Sequence, residues 1–156
     1  MATVTTNYGT NTALTVTNLH SLGNGSWWQS ASIDNTSTKA LWMEVFVTIL
    51  TTTTAGSNAN VDVYLAGSND GGTDYAGGAS GSEGSYTVTA NSSDQLRFIG
   101  SMPVDASETT ARTFKWQVAV HDLPDTFAIL IENNSGTAIG ASTNAVEYRL
   151  NKFDSA

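Results

Sequence analysis

The chain has 156 residues, a net charge of −8 from fourteen acids and six bases, and no cysteine. Without cysteine there is no disulfide framework, thiolate metal site or cysteine nucleophile, and six scattered bases cannot form a phosphate-tracking stripe, so no nucleic-acid partner is expected. Charged residues are only 13% of the chain, against about 25% in typical domains, which leaves a Ser-, Thr-, Asn- and Gly-rich surface suited to close packing against other proteins.

The length fits one domain, which buries roughly 70% of the surface of its unfolded chain and needs no staple. No apolar run approaches the ~20 residues of a membrane helix. The start, "MATVTTNYGTNT", lacks the basic and apolar regions of a signal peptide. Neither a membrane partner nor Sec export is expected.

In chain order, residues 1–12 read as a polar, Thr-rich N-terminal arm carrying Tyr8, and 13–156 as a single β domain. Helical periodicity is nearly absent; period-two alternation of β-branched and aromatic residues is everywhere. "TALTVTN" alternates Leu14 and Val16 with threonines, and "SWWQSASIDN" follows the turn "GNG". "ALWMEVFVTILT" places Leu41, Met43, Val45, Val47 and Ile49 on one face and Trp42, Phe46 and Leu50 on the other, the pattern of a central strand covered on both sides. "NVDVYLAG" brings Val61, Val63 and Leu65, "SYTVTA" is short, and "QLRFIGSM" offers Leu96, Phe98 and Met102. "RTFKWQVAV" turns Phe114, Trp116, Val118 and Val120 inward. "DTFAILIEN" supplies Phe127, Ile129 and Ile131, and "NAVEYRLNKF" supplies Val146, Tyr148 and Leu150. Eight or nine strands joined by Gly, Asn, Asp and Ser turns predict an antiparallel β-sandwich, with eight strands matching a jelly roll. The glycine-rich stretch Gly67–Ser85 falls outside the strands; Tyr75 is its only large side chain, so little is expected to pin it from within.

Four features of the sequence bear on catalytic or metal chemistry. His20 and His121 are the only histidines, and no G-x-S-x-G elbow supports a nucleophile beside either; both read as loop histidines. Asp122 with Asp125, and Asp105 with Glu108, lie three apart in single loops, which suits turns and caps rather than two acids facing each other across a cleft. Asn69, Asp70 and Asp74 offer oxygen ligands for calcium, but their spacing is not that of an EF-hand. No phosphate-cradling glycine motif precedes a helix. The chain reads as a non-enzyme with no cofactor and no metal.

The adjacent Trp27 and Trp28 must point to opposite faces of a strand. Trp28 shares parity with Ser30, Ser32 and Asp34, so it is the expected outward indole; Trp42 shares its face with Glu44 and raises the same question. A covering loop or a β-bulge would instead bury Trp28. An exposed indole suits a protein interface or a sugar platform.

The runs "GSWWQSASIDNTSTKALWMEVFVTI", "VDVYLAGSNDGGTDYAGG", "LRFIGSMPV", "LPDTFAILIENNSGTAI" and "VEYRL", from Gly25 to Leu150, resemble a group of small virion proteins of tailed bacteriophages. The resemblance implies a β-sandwich virion component. Analogy with jelly-roll accessory proteins then implies a capsid decoration (cement) protein on the outer capsid surface, made in the host cytoplasm, with the major capsid protein as partner. The same analogy implies a homo-oligomer, a trimer at local three-fold positions. Its expected contacts are Tyr8 on the arm, Trp28, Trp42 and Tyr75. The alternatives are a tail or head–tail component, and a carbohydrate-binding module in which Trp28, Trp42 or Tyr75 stacks on sugars.

Overall fold

The computed structural model describes residues 3–52, 55, 58–89, 92–104, 112–118 and 123–155, with 112–118 as backbone only. Its strands are β1 (Val4–Tyr8), β2 (Thr12–Ala13), β3 (Trp27–Gln29), β4 (Ile33–Asp34), β5 (Trp42–Ile49), β6 (Asn60–Ser68), β7 (Gly84–Tyr86), β8 (Arg97–Pro103), β9 (Arg112–Val118), β10 (Thr126–Asn134) and β11 (Ala145–Ser155). They form two antiparallel sheets. The first runs β1-β11-β5-β9, with β2 also on β11; the second runs β7-β3-β10-β6-β8, with β4 also on β10.

Setting aside the short β2, β4 and β7, the remaining strands have chain order 1-8-3-6 in one sheet and 2-7-4-5 in the other. The first strand pairs with the last, the second with the second-last, and so inward. That is a long hairpin rolled into a two-layer sandwich, the jelly roll. Among the described residues, this corrects the reading of 1–12 as an arm outside the strands: Val4–Tyr8 is the edge strand of the first sheet, antiparallel to β11 from Val4 opposite Ser155 to Tyr8 opposite Asn151. Its threonines and tyrosine are good strand formers, and Gly9 lets the chain approach β11, where a Cβ would lie 2.3 Å from the Leu150 carbonyl oxygen. Conversely, Leu14 and Val16 lie in a connection, partly buried against the core.

The core between the sheets joins Met43, Val45 and Val47 of β5 and Val146 of β11 to Val61 and Val63 of β6 and Phe127, Ile129 and Ile131 of β10. These are the alternating positions expected for those strands. β10 is also buried on its other side, through Ala128 and Leu130, so it reads as a continuous apolar run. Phe114, Trp116 and Val118 sit on β9, whose side chains lie outside the described residues, as does Val120.

Ile129 is fully buried between the layers. Ile129→Ala is expected to cost about 3 kcal/mol in urea unfolding, whereas Val4→Ala at the exposed edge should change stability by less than about 0.5 kcal/mol.

Candidate interface on the outer face of the first sheet

The second sheet hides its inner face and most of its outer face, where Phe98 of β8 stays 55% exposed. Trp28 is fully buried in the core between the sheets, and Trp27 lies on the opposite face, 9% exposed. This overturns the outward placement that parity gave Trp28 and bears out the alternative of a β-bulge that buries it. Parity fails because the β3–β4 segment carries an extra residue: Trp28 pairs with Ile131 and Ile33 with Phe127, five positions on one strand against four on the other. The extra residue makes a β-bulge. Ser30 holds it, its backbone N–H donating to the Ile129 carbonyl and its hydroxyl accepting from the Ile129 N–H. Trp28 and Ile33 thereby share the inner face.

Trp27 on the outer face meets Tyr64 at 4.9 Å and Tyr86 at 5.8 Å between ring centres, and Tyr64 in turn meets Phe98. The glycine-rich segment folds over this row as a flap, contributing Tyr75 and Ala79 beside Tyr86 of β7 and Leu96. The flap is anchored, contrary to expectation. Tyr75 is buried and donates its hydroxyl to Ser32 Oγ at 2.7 Å. Gln29 exchanges two bonds with Ser80, and Tyr86 donates to the Gly77 carbonyl. Gly81 is required: its φ is +65°, and a Cβ would lie 2.7 Å from the Tyr75 ring.

Glu83 is the flap's ionic latch. Its carboxylate accepts from the Trp28 indole N–H at 2.8 Å and from the backbone and side-chain N–H groups of Asn18. Burial pushes this carboxyl up, but those bonds, together with His20, outweigh burial and hold it below its ordinary value of 4.5. The flap therefore seals Trp28 through a charge-assisted bond that composition does not reveal.

Among the described residues, the first sheet has a second layer on its inner face only. On its outer face lie Val4 and Tyr8 of β1, Arg149, Asn151 and Phe153 of β11, and Trp42, Glu44 and Phe46 of β5, a set that follows from strand register. Val4, Tyr8 and Phe153 are 66%, 59% and 50% exposed. Beneath them the buried Glu44 pairs with Arg149, which also lies 5.1 Å from the Tyr8 ring centre and 5.9 Å from that of Phe46, within cation–π range. The pair ties β5 to β11 and supports Tyr8 from below. Trp42, expected on this face, is there but is only 6% exposed, its ring 5.0 Å from Phe153. Its indole N–H finds no acceptor among the described residues. Of the four residues singled out as contacts, only Tyr8 is exposed. Trp28, Trp42 and Tyr75 are buried, so none offers an open face to stack a sugar. Phe153 was missed, although its parity, opposite to that of Leu150, marks it as outward.

Elsewhere the acids work locally. Asp70 accepts from Ser68 and from the backbone N–H groups of Thr73 and Asp74, and these bonds hold its carboxyl below the ordinary range. Asp125 pairs with Lys39 in the open, worth at most about 1 kcal/mol. His20 Nδ1 lies 3.0 Å from Asn144 Nδ2. Asp105, Glu108, His121 and Asp122 lie outside the described residues. Among the described residues no three His, Asp or Glu side chains gather as metal ligands, and no helix is long and apolar enough to cross a membrane. A groove of about 580 Å³ runs beside Trp27, Asn18 and Tyr86, but Tyr64 and Tyr86 occupy the indole's surroundings there. No protein-family model matches the chain, and no curated protein matches it.

Two outcomes follow for stability. Glu83→Ala leaves a buried indole N–H unpaired and should cost about 1–3 kcal/mol at neutral pH. Because the folded-state value is depressed, this contribution is fully present above pH 4.5 and is lost as pH falls through the folded value. The gap between wild type and variant in urea titrations should therefore close in acid. Separately, Trp28→Phe should destabilise more than Trp42→Phe, by about 1–2 kcal/mol, since only the Trp28 N–H has a partner to abandon; paired denaturation curves measure the difference.

Proposed function

We propose that this chain is a non-enzymatic virion structural protein of the capsid decoration type, which attaches to the outer surface of a phage capsid and bridges neighbouring copies of the major capsid protein. One observation carries the adhesive part of the reading: the outer face of the first sheet, with Val4, Tyr8 and Phe153 half or more exposed over a fixed Glu44–Arg149 pair. An exposed aromatic set on a rigid sheet is suited to burial against another protein. The virion part is supported by the resemblance of Gly25–Leu150 to small tailed-phage virion proteins. The jelly-roll order of the strands is compatible with it, since that fold serves viral shells, though it serves lectins as well.

This reading places Tyr8 and Phe153 at the capsid contact and leaves Trp28, Trp42 and Tyr75 as internal supports. A tail or head–tail position is the competing location, and stoichiometry separates the two. Quantitative mass spectrometry of purified particles should find hundreds of copies; about six or twelve would place the chain in a ring at the neck or tail, and none would end the proposal. Tyr8→Ala combined with Phe153→Ala should weaken attachment to undecorated capsids at least tenfold in a pelleting assay, at a temperature where circular dichroism shows the variant still folded.

A further inference from the structure

The edge of the first sheet is built unlike the edge of the second. β8 carries Arg97, ends in Pro103 and is offset by a register irregularity at Val63/Tyr64; a charge, a proline and a bulge all discourage a further strand from adding. β1, "VTTNY", has no charge and no proline, and it pairs with β11 without a break. All five of its residues are exposed. In a chain of net charge −8, it is a neutral, regular, open strand.

The phase of its hydrogen bonds shows what it can add. The Gly9 N–H donates to the carbonyl of Leu150, the residue opposite it by the β1–β11 register. Hydrogen-bonded pairs alternate along an antiparallel ladder, so Asn7 and Thr5 also bond to β11, while Tyr8, Thr6 and Val4 turn their N–H and C=O groups to the open side. Those three also carry the side chains of the outer face.

We propose that β1 pairs antiparallel with β1 of a second copy, about a two-fold axis at Thr6, joining two first sheets into one. That register places Val4 opposite the second copy's Tyr8 and Thr6 opposite the second copy's Thr6, each exchanging both backbone bonds. An aromatic with a β-branched residue, and threonine with threonine, are favourable cross-strand pairs. On the other face, Thr5 meets the second copy's Asn7. The next strands out are charge-complementary in the same register. Asp154 lies beside Thr5 and Lys152 beside Asn7, so each row across the seam runs from an acid on one copy to a base on the other. At about 14 Å, three strand spacings, that charge term is screened, and Lys152 and Asp154 already pair within each copy, so it is compatible with this register and adds little energy. A one-residue slip would turn the bonding groups of one strand away from those of the other.

The seam is short, so the dimer is weak, with a dissociation constant on the order of 10 µM. It does not depend on what the outer face binds, but it would double the exposed aromatic face by setting Tyr8 and Phe153 of two copies side by side.

Sedimentation equilibrium of the purified full chain, from about 1 µM to about 500 µM, should show a monomer–dimer equilibrium. Thr6→Lys, which sets two like charges opposite each other at the axis, should raise the dissociation constant at least tenfold. Since the chain has no cysteine, Thr6→Cys supplies a single thiol opposite its own copy. The ~5.5 Å between α-carbons of such a pair lies within disulfide range. Oxidation should convert Thr6→Cys to a covalent dimer and leave Thr10→Cys mostly monomeric. A wild-type chain that stays monomeric or forms trimers, or equal cross-linking at both positions, would overturn the proposal. Capsid attachment by a strictly monomeric chain would overturn it while leaving the decoration reading intact.

Discussion

The structure depends on a sheet that is apolar on both sides. Placing Trp27 and Trp28 on successive positions of β3, and Ala128 and Leu130 between Phe127, Ile129 and Ile131 on β10, gives the second sheet two faces that must leave water. One face is closed by the first sheet. The other would expose Trp27, Tyr64 and Leu130 were it not for the flap, and an apolar area of that kind on a lone domain invites aggregation. The anchors of the flap, from Tyr75 on Ser32 to Glu83 on Trp28, therefore complete the core.

The consequence for function is asymmetry. Because the flap is committed to the second sheet, the outer face of the first has, among the described residues, only its own side chains. A sheet with one bare face normally dresses it in charge and small polar groups. Here Glu44 and Arg149 are paired, with the guanidinium in cation–π range of the Tyr8 and Phe46 rings, and Glu147 lies on the same face opposite Phe46. A buried ion pair adds little net stability compared with apolar residues. What it does here is support the exposed Tyr8 ring from below.

The rolled topology also places the two ends of the chain together, with β1 lying against β11. Nearly every strand partner is distant in sequence; among the eight principal strands only β6 and β8 are chain neighbours paired in one sheet. Loop closure then precedes most of the stabilising contacts, and folding of such non-local β structures is slow. The edge strand is the outermost layer of that nesting, held on one side only, which is the physical reason its other side remains open.

Alternation alone determined the all-β class, the two-layer sandwich and most of the inward residues, because side chains of a strand switch faces every residue and burial demands apolar groups on one of them. It could not determine which tryptophan faced inward. A single extra residue at Ser30 reverses parity downstream, and bulges carry no signal in a period-two pattern. Nor could it reveal that "VTTNY" is a strand: with both faces polar or exposed, β1 is held by its pairing with β11 and shows no hydrophobic stripe. The Glu83–Trp28 bond, the Glu44–Arg149 pair and the covering of Tyr75 join residues 43 to 105 positions apart. Only the register of the folded sheets brings such groups into contact, and so only the tertiary structure decided which aromatic residues serve the core and which stay exposed.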